Sequence, residues 1–171
     1  MSDALLAAFL RETNQCLLSN VERIEHCVAQ LNDEQIWHRP APGMNSIGNL
    51  ILHLRGNVRQ WIVSGLTEAE DDRNRPQEFA ENGPIARQTL LDQLRETVTA
   101  AVSVLEGIDE AGLLQPRRIQ GFELDGVGAI FDCVPHFKGH TQEIICLTRM
   151  QLGDQYQFYW QPSTAEEGAP Q

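Results

Sequence analysis

The stretch from residue 3 to residue 31 reads DALLAAFLRETNQCLLSNVERIEHCVAQL, and its apolar side chains Leu6, Leu10, Leu17, Val21, Ile24, Val28 and Leu31 return mainly every three, four or seven positions. That period lays them along one face of an α-helix, and no Pro or Gly interrupts it. Two further stretches repeat the pattern. In residues 85–106, Leu91, Leu94, Val98, Ala101 and Leu105 trace a seam like the a and d positions of a coiled coil, and Gly107 stops it. In residues 46–64, Ser46 is placed to cap a helix that presents Ile47, Leu50, Leu54, Trp61 and Ile62, with Gly65 at its end. A last long helix is predicted after Gly126 and Gly128, running to Leu152 and closed by Gly153. Pro135 lies inside it and has no amide proton to give the Phe131 carbonyl, which predicts a kink or a later start.

The connections differ in character. Residues 32–45 hold Pro40, Pro42 and Gly43 and read as a loop. Residues 67–84 are rich in Glu, Asp, Arg, Asn and Pro without a sustained period, so they read as a polar crossover, long enough to expect function or disorder there. Residues 114–125 are extended in character, as in a short irregular hairpin. Residues 156–162 (YQFYWQP) concentrate aromatics that are expected to pack back on the helices, ahead of a polar end expected to fray. Four long helices, one long crossover and one irregular connection predict an all-α four-helix bundle. Residues 1–155 form that single domain and residues 156–171 an aromatic segment with a polar tail.

Composition narrows the function. The chain has 171 residues, 42% apolar and 22% charged, with a formal net charge of −11. At this size folding hides roughly 70% of the unfolded surface, so the core needs no metal or disulfide staple, and a bound metal would serve function. No apolar run approaches the ~18–20 residues of a membrane span, and Met1-Ser2-Asp3 lacks the basic start of a signal peptide. A cytoplasmic protein without a membrane partner is expected. The acidic balance argues against nucleic acid, whose phosphates need clustered Lys and Arg. Cys16, Cys27, Cys133 and Cys146 form no C-x-x-C and are expected to be reduced and mostly buried.

Chemistry concentrates on histidine. His136 and His140 stand at i and i+4, which puts two imidazoles on one helical face within reach of one ion; the same spacing also suits an interfacial or solvated pair. His53 sits in the apolar run Ile51-Leu52-His53-Leu54, flanked at i−4 and i+4 by Asn49 and Asn57. Buried polar groups need partners. If the second and fourth long helices are neighbours, three imidazoles converge and the asparagines can orient them. Glu143 shares the face of His136 and His140, as a fourth ligand, an acceptor behind a ligand, a general base or a solvated charge. Cys133 reads as core, or as a soft ligand leaning toward the site. His26 and His38 have no comparable partners and read as surface or loop residues. There is no H-E-x-x-H, no E-x-x-H, no phosphate loop, no nucleophile elbow and no dinucleotide fingerprint. What remains is a site for one ion on three histidines, and imidazole suits Zn, Ni, Fe and Cu alike.

In order and spacing, SIGNLILHLRGN (46–57), RNRPQEF (73–79), HFKGHTQEI (136–144) and YQFYWQP (156–162) resemble the DinB-like superfamily of metal-binding four-helix bundles, which includes the bacillithiol and mycothiol S-transferases. The resemblance covers most of the chain. It implies an up-down-down-up bundle, one divalent metal (Zn, Ni or Fe) held by His53, His136 and His140 with open positions filled by water, and a homodimer. Many relatives carry Gly-Gln where this chain has Gln142-Glu143, and a carboxylate there alters the local charge and with it the preferred metal or substrate.

The expected function is a metal-dependent enzyme acting on a small-molecule substrate, a low-molecular-weight-thiol S-transferase or a hydrolase. The ion would act as a Lewis acid on a thiol co-substrate or on water, with Glu143 as base and Asn49 and Asn57 as orienters. Arg73 and Arg75 are candidates to take a substrate carboxylate if the crossover folds over the site, and otherwise are plain surface. The alternative is a non-catalytic metal-binding or stress-response module acting through dimerisation or ligand binding, which predicts closed coordination, for example with Glu143 or Cys133 as fourth ligand. A bundle that has lost its metal is the third reading.

Overall fold

The computed structural model describes residues 3–160. In chain order the elements are α1 (Asp3–Ala29), α2 (Asp33–Trp37), α3 (Ile47–Val58), α4 (Arg75–Ala80), α5 (Arg87–Gly107), α6 (Glu110–Leu114), β1 (Arg117–Ile119), β2 (Phe122–Leu124) and α7 (Gly126–Leu152). The long helices α1, α3, α5 and α7 bury the stripes that the sequence spacing predicts. On α1 these include Leu10, Leu17, Val21, Ile24 and Val28, and on α5 Leu91, Leu94, Val98, Ala101 and Leu105.

Hydrogen bonds between helix ends set the directions. Gln151 at the end of α7 donates to the Gln35 carbonyl just beyond α1 (3.0 Å), so α1 and α7 run the same way. Arg87 at the start of α5 donates to the Leu31 carbonyl (2.6 Å), which makes α5 antiparallel to α1. Asn49 at the start of α3 donates to the Glu81 carbonyl ahead of α5 (2.8 Å), so α3 and α5 are parallel. The bundle is therefore up-down-down-up. Helix α1 packs on α5 and α7, and α3 packs on the same two, leaving α1 and α3 diagonal. Two parallel neighbours need a connection that returns along the bundle. Residues 67–84 make that return between α3 and α5, and this is what brings them past the site.

Three short helices stand where the spacing predicts loops or nothing. Helix α2 lies within 32–45, capped by Asn32 with Gln35 closing the capping box; α4 lies within the crossover, capped by Asn74 with Pro76 in its first turn; α6 is capped by Asp109. None spans enough turns to show a 3.6-residue period, but each carries the local cap that starts a helix. Helix α7 starts at Gly126, capped by Asp125, and continues through Pro135, so Gly126 and Gly128 belong to its first turn. At Gly126 a Cβ would meet the Leu113 carbonyl oxygen at 2.9 Å, a reason for glycine that periodicity does not register.

Ser46 caps α3 as expected. Its hydroxyl accepts the Asn49 amide proton while the Asn49 side-chain carbonyl accepts the Ser46 amide proton, both at 3.1 Å. The helix then widens into a π-helical turn, Arg59–Ser64, in which Trp61 and Ile62 are both buried. The predicted hairpin is present: β1 and β2 pair antiparallel around Gln120-Gly121, both at positive φ (51° and 86°), the geometry of a type I′ turn.

The aromatic segment returns to α1. The His26 imidazole bonds the Gln157 carbonyl (2.6 Å) and lies edge-on to Tyr156 and Tyr159, and the Tyr159 hydroxyl donates to Glu22 (2.7 Å). His26 thus has a definite role on a helix, which its isolation in the sequence did not suggest. Phe158, Tyr159 and Trp160 remain exposed, so polar tips and ring edges hold this segment more than burial does. The polar tail expected to fray lies outside the described residues. Among the described residues, no helix is long and apolar enough to cross a membrane.

Candidate metal centre

Because α3 and α7 are neighbours, His53 from the first meets His136 and His140 from the second. One ring nitrogen from each lies within 4.8 Å of the others. The Nε2 atoms of His53 and His136 are 2.9 Å apart, and the three rings stand nearly perpendicular with centroids 4.5–5.1 Å apart. Two nitrogens on one tetrahedral ion at ~2.0–2.1 Å sit roughly 3.3–3.4 Å from each other. With one pair at 2.9 Å and all three within 4.8 Å, small ring shifts would bring the three nitrogens onto one ion.

Protonation also fits. Burial, with the nearby charges of His140, His53, Arg73 and Arg75, pushes His136 down to about 4, which leaves a neutral imidazole with a free lone pair. His53 is buried and its Nδ1 lies 2.9 Å from Oε2 of Glu78. A carboxylate accepting the Nδ1 proton fixes the tautomer and leaves Nε2 free for a metal.

Glu78 comes from α4 in the crossover and was not singled out in the sequence. Burial raises its pKa, but the hydrogen bonds from His53 and Arg73 and the Arg73 charge outweigh that and hold it below the usual carboxylate range. Arg73 Nε donates to Glu78 Oε1 (2.8 Å), its Nη2 to Oε2 (3.0 Å) and its Nη1 to Gln60 (2.9 Å). Its guanidinium is thus buried and engaged within the protein. Phe79 lies against the His53 ring at 4.8 Å, and Arg75 lies over Phe79 at 5.0 Å.

The asparagine stripe works differently from the expectation. Asn49 donates to the backbone carbonyls of Glu78 (2.9 Å) and Glu81 (2.8 Å), so it docks the crossover against α3 and reaches His53 only through Glu78. Asn57 is buried beside the site, and its Oδ1 has no partner among the described residues. Glu143 accepts from Nδ1 of His140 (2.7 Å), which orients that ring as Glu78 orients His53. Cys133 is fully buried in the core, its thiol pushed up to about 12 by burial, and is not among the converging groups.

Gly56 lies one helical turn after His53, where a Cβ would come 2.0 Å from Glu78 Oε1 and 3.0 Å from Arg73 Nε. Gly56→Ala is expected to push Glu78 off His53, costing about 1–3 kcal/mol in a urea titration and roughly tenfold in metal affinity. Gly139→Ala at an exposed position of α7, where a Cβ meets nothing within 4 Å, is the control and should stabilise by ~0.5–1 kcal/mol. Equal effects in the two variants would show that the close approach at Gly56 is irrelevant.

Beside the histidines opens a cleft of about 470 Å³, bordered by His53, His136, Asn57, Trp61, Asp132, Arg75 and the Glu78-paired Arg73, with Gln120 and Phe122 of the hairpin at its edge. Asp132, one turn before His136 on α7, was not anticipated, although the i−4 spacing from a candidate ligand could have identified it.

Residues 5–164 match the model of a family described as "Protein of unknown function (DUF1572)". The chain belongs to the DUF1572 family. No curated protein matches this DUF1572 sequence. Solved structures do match its fold. A conserved protein from Enterococcus faecalis superposes with a TM-score of 0.69 at 19% identity over 84% of this chain and 96% of that one. A DinB-like protein from Bacillus cereus superposes with a TM-score of 0.64 at 19% identity over 81% and 90%. A mycothiol-dependent maleylpyruvate isomerase does so with a TM-score of 0.62 at 12% identity, over 79% of this chain and 60% of that one. At these identities the likeness establishes the fold alone. This DUF1572 chain has a DinB-like fold with a three-histidine cluster that could hold a metal ion.

Proposed function

We propose that the protein is a metal-dependent enzyme that activates a low-molecular-weight thiol, or water, at one divalent ion (Zn, Ni or Fe) held by His53, His136 and His140, and transfers or hydrolyses a small-molecule substrate. The observation that carries this reading is the convergence of three imidazole nitrogens within 4.8 Å, with His53 and His136 in the wall of a cleft large enough for a small molecule. The fold likeness to a mycothiol-dependent isomerase supports the thiol choice. When bound, the ion supplies Lewis acidity that lowers the pKa of a thiol or water placed against it.

The chain's own residues do the rest. Glu78 keeps the proton on Nδ1 of His53, and Arg73 keeps Glu78 ionised and in place. Glu143 does the same for His140, so its part is to orient a ring more than to act as a free base. Trp61 and the hairpin wall the cleft against bulk water, and Asn57 and Arg75 border the space where a substrate would lie. Cytoplasmic location, a homodimer and the absence of nucleic-acid partners belong to the same reading.

The non-catalytic alternative predicts closed coordination, for example with Glu143 or Cys133 as fourth ligand. Glu143 is instead engaged by His140, and Cys133 is a buried thiol, which favours an open site. The deciding experiment compares thiol-transfer and hydrolysis rates of metal-loaded wild type and His53→Ala over a panel of electrophiles. A loss of about a hundredfold or more is expected in the variant; equal rates would reject the enzyme reading.

A further inference from the structure

The two carboxylates that bond the histidines are engaged. Glu78 is held by His53 and Arg73, Glu143 by His140, and on the crossover Asp71 and Asp72 are taken by Gln60 and Arg59. Two opposite charges in the cleft are not. Arg75, in the first turn of α4, is exposed and lies over the Phe79 face; Asp132, on α7, is exposed, and among the described residues neither forms an ion pair, with each other or with anything else. A cation on the crossover wall and an anion on the α7 wall thus face one cleft without pairing across it.

Two more features of the cleft bear on what fills that space. Asn57 borders it with a side-chain oxygen that has no partner among the described residues, and buried polar atoms usually find one. Trp61 and Phe122 stand with their rings 6.5 Å apart at the hairpin side, and Phe122 is exposed, so the wall there is apolar. A simple dianion would meet Asp132, and a simple cation would meet Arg75. A ligand that carries one charge of each sign satisfies both walls.

We propose that this cleft binds a zwitterionic small molecule, with a carboxylate on Arg75 and an ammonium group on Asp132, so that the substrate or thiol co-substrate carries an amino-acid head group. The inference rests on the metal-site reading for the reaction itself, but the head-group contacts belong to the chain alone. Arg75 offers a planar fork that matches a carboxylate in two hydrogen bonds, and Asp132 accepts from an ammonium group; both are charge-assisted. With Asp132 one helical turn before His136, the ammonium end lies toward α7 and the carboxylate end toward the crossover.

The test titrates the metal-loaded full-length protein by calorimetry with cysteine, thioglycolate, cysteamine and 2-mercaptoethanol, which carry both charges, the carboxylate alone, the ammonium alone and neither. Serine, which has the same head group without a thiol, is titrated into the metal-free protein. Wild type, Arg75→Gln and Asp132→Asn are compared, and metal content is measured in each. Cysteine is expected to bind about tenfold more tightly than either singly charged thiol. Arg75→Gln should erase the advantage of cysteine over cysteamine while keeping its advantage over thioglycolate, and Asp132→Asn should do the reverse. Metal content should not change in either variant. Four thiols binding alike, or variants that shift no preference, would overturn the proposal and leave the metal site standing. If the wild type retains no metal, the metal reading fails, and the serine titration decides the head-group proposal: dependence on both charges supports it, and indifference to both overturns it.

Discussion

Glu78→Ala is expected to lower stability by about 3–5 kcal/mol and the melting temperature by about 10 °C, an unusually large effect for a residue in a crossover between helices. The reason is the group left behind. The Arg73 side chain is 2% exposed, and Glu78 satisfies two of its donors. Removing the carboxylate leaves a buried guanidinium with no counter-charge, only neutral Gln60 and the His53 Nδ1 atom 3.1 Å from its Nη2, and it also removes the acceptor for the His53 Nδ1 proton. Metal affinity should therefore fall as well, by roughly 10–100-fold, as for other acceptors behind ligand histidines. Glu78→Gln separates the two effects, because its carbonyl can still accept from His53 but cannot neutralise Arg73. It should keep more of the metal affinity than of the stability. Thermal melts beside competitive chelator titrations measure both, and an unchanged melting temperature and affinity in Glu78→Ala would remove Glu78 from the site.

The bundle and its three histidines were legible because their signals are local and repeated. Each of α1 and α5 writes its buried face several times over, and His136 and His140 announce a shared face by spacing alone. His53 stood out because an imidazole within Ile, Leu and Leu has to be accounted for. Glu78 had no such signal. It reaches His53 from 25 positions away, on a helix of six residues whose local marks are Asn74 and Pro76. Asn49 was read correctly as a buried polar residue with work to do, but its amide serves the helix cap and two crossover carbonyls, and nothing in the spacing on α3 could reveal a partner on another segment. By sequence Arg73 is a candidate for a substrate carboxylate or plain surface, whereas its partner is a carboxylate of the chain itself five residues on. In each case the residue type correctly announced a polar partner, and what sequence order concealed was which element would supply it.

Metal addition should give the other large effect. A ligand that binds only the folded chain stabilises it by RT ln(1 + [L]/Kd), about 4 kcal/mol at a thousandfold excess over Kd, which for a domain of this size raises the melting temperature by about 10 °C. The wild type, purified without chelator, is expected to hold about one divalent ion per chain and to show that shift when Zn, Ni or Fe is returned after chelation. His136→Ala/His140→Ala removes two of the three converging nitrogens and should lose both the ion and the shift. It should melt near the metal-free wild type, because both rings are only half-buried and lie outside the core that Phe137 and Ile144 build on the same helix. That separation gives the test its force: a fold that survives while the metal response vanishes places the ion at these nitrogens. A wild type that stays metal-free and unshifted with all three ions would make the cluster structural, with His53 and His136 joined by their hydrogen bond alone.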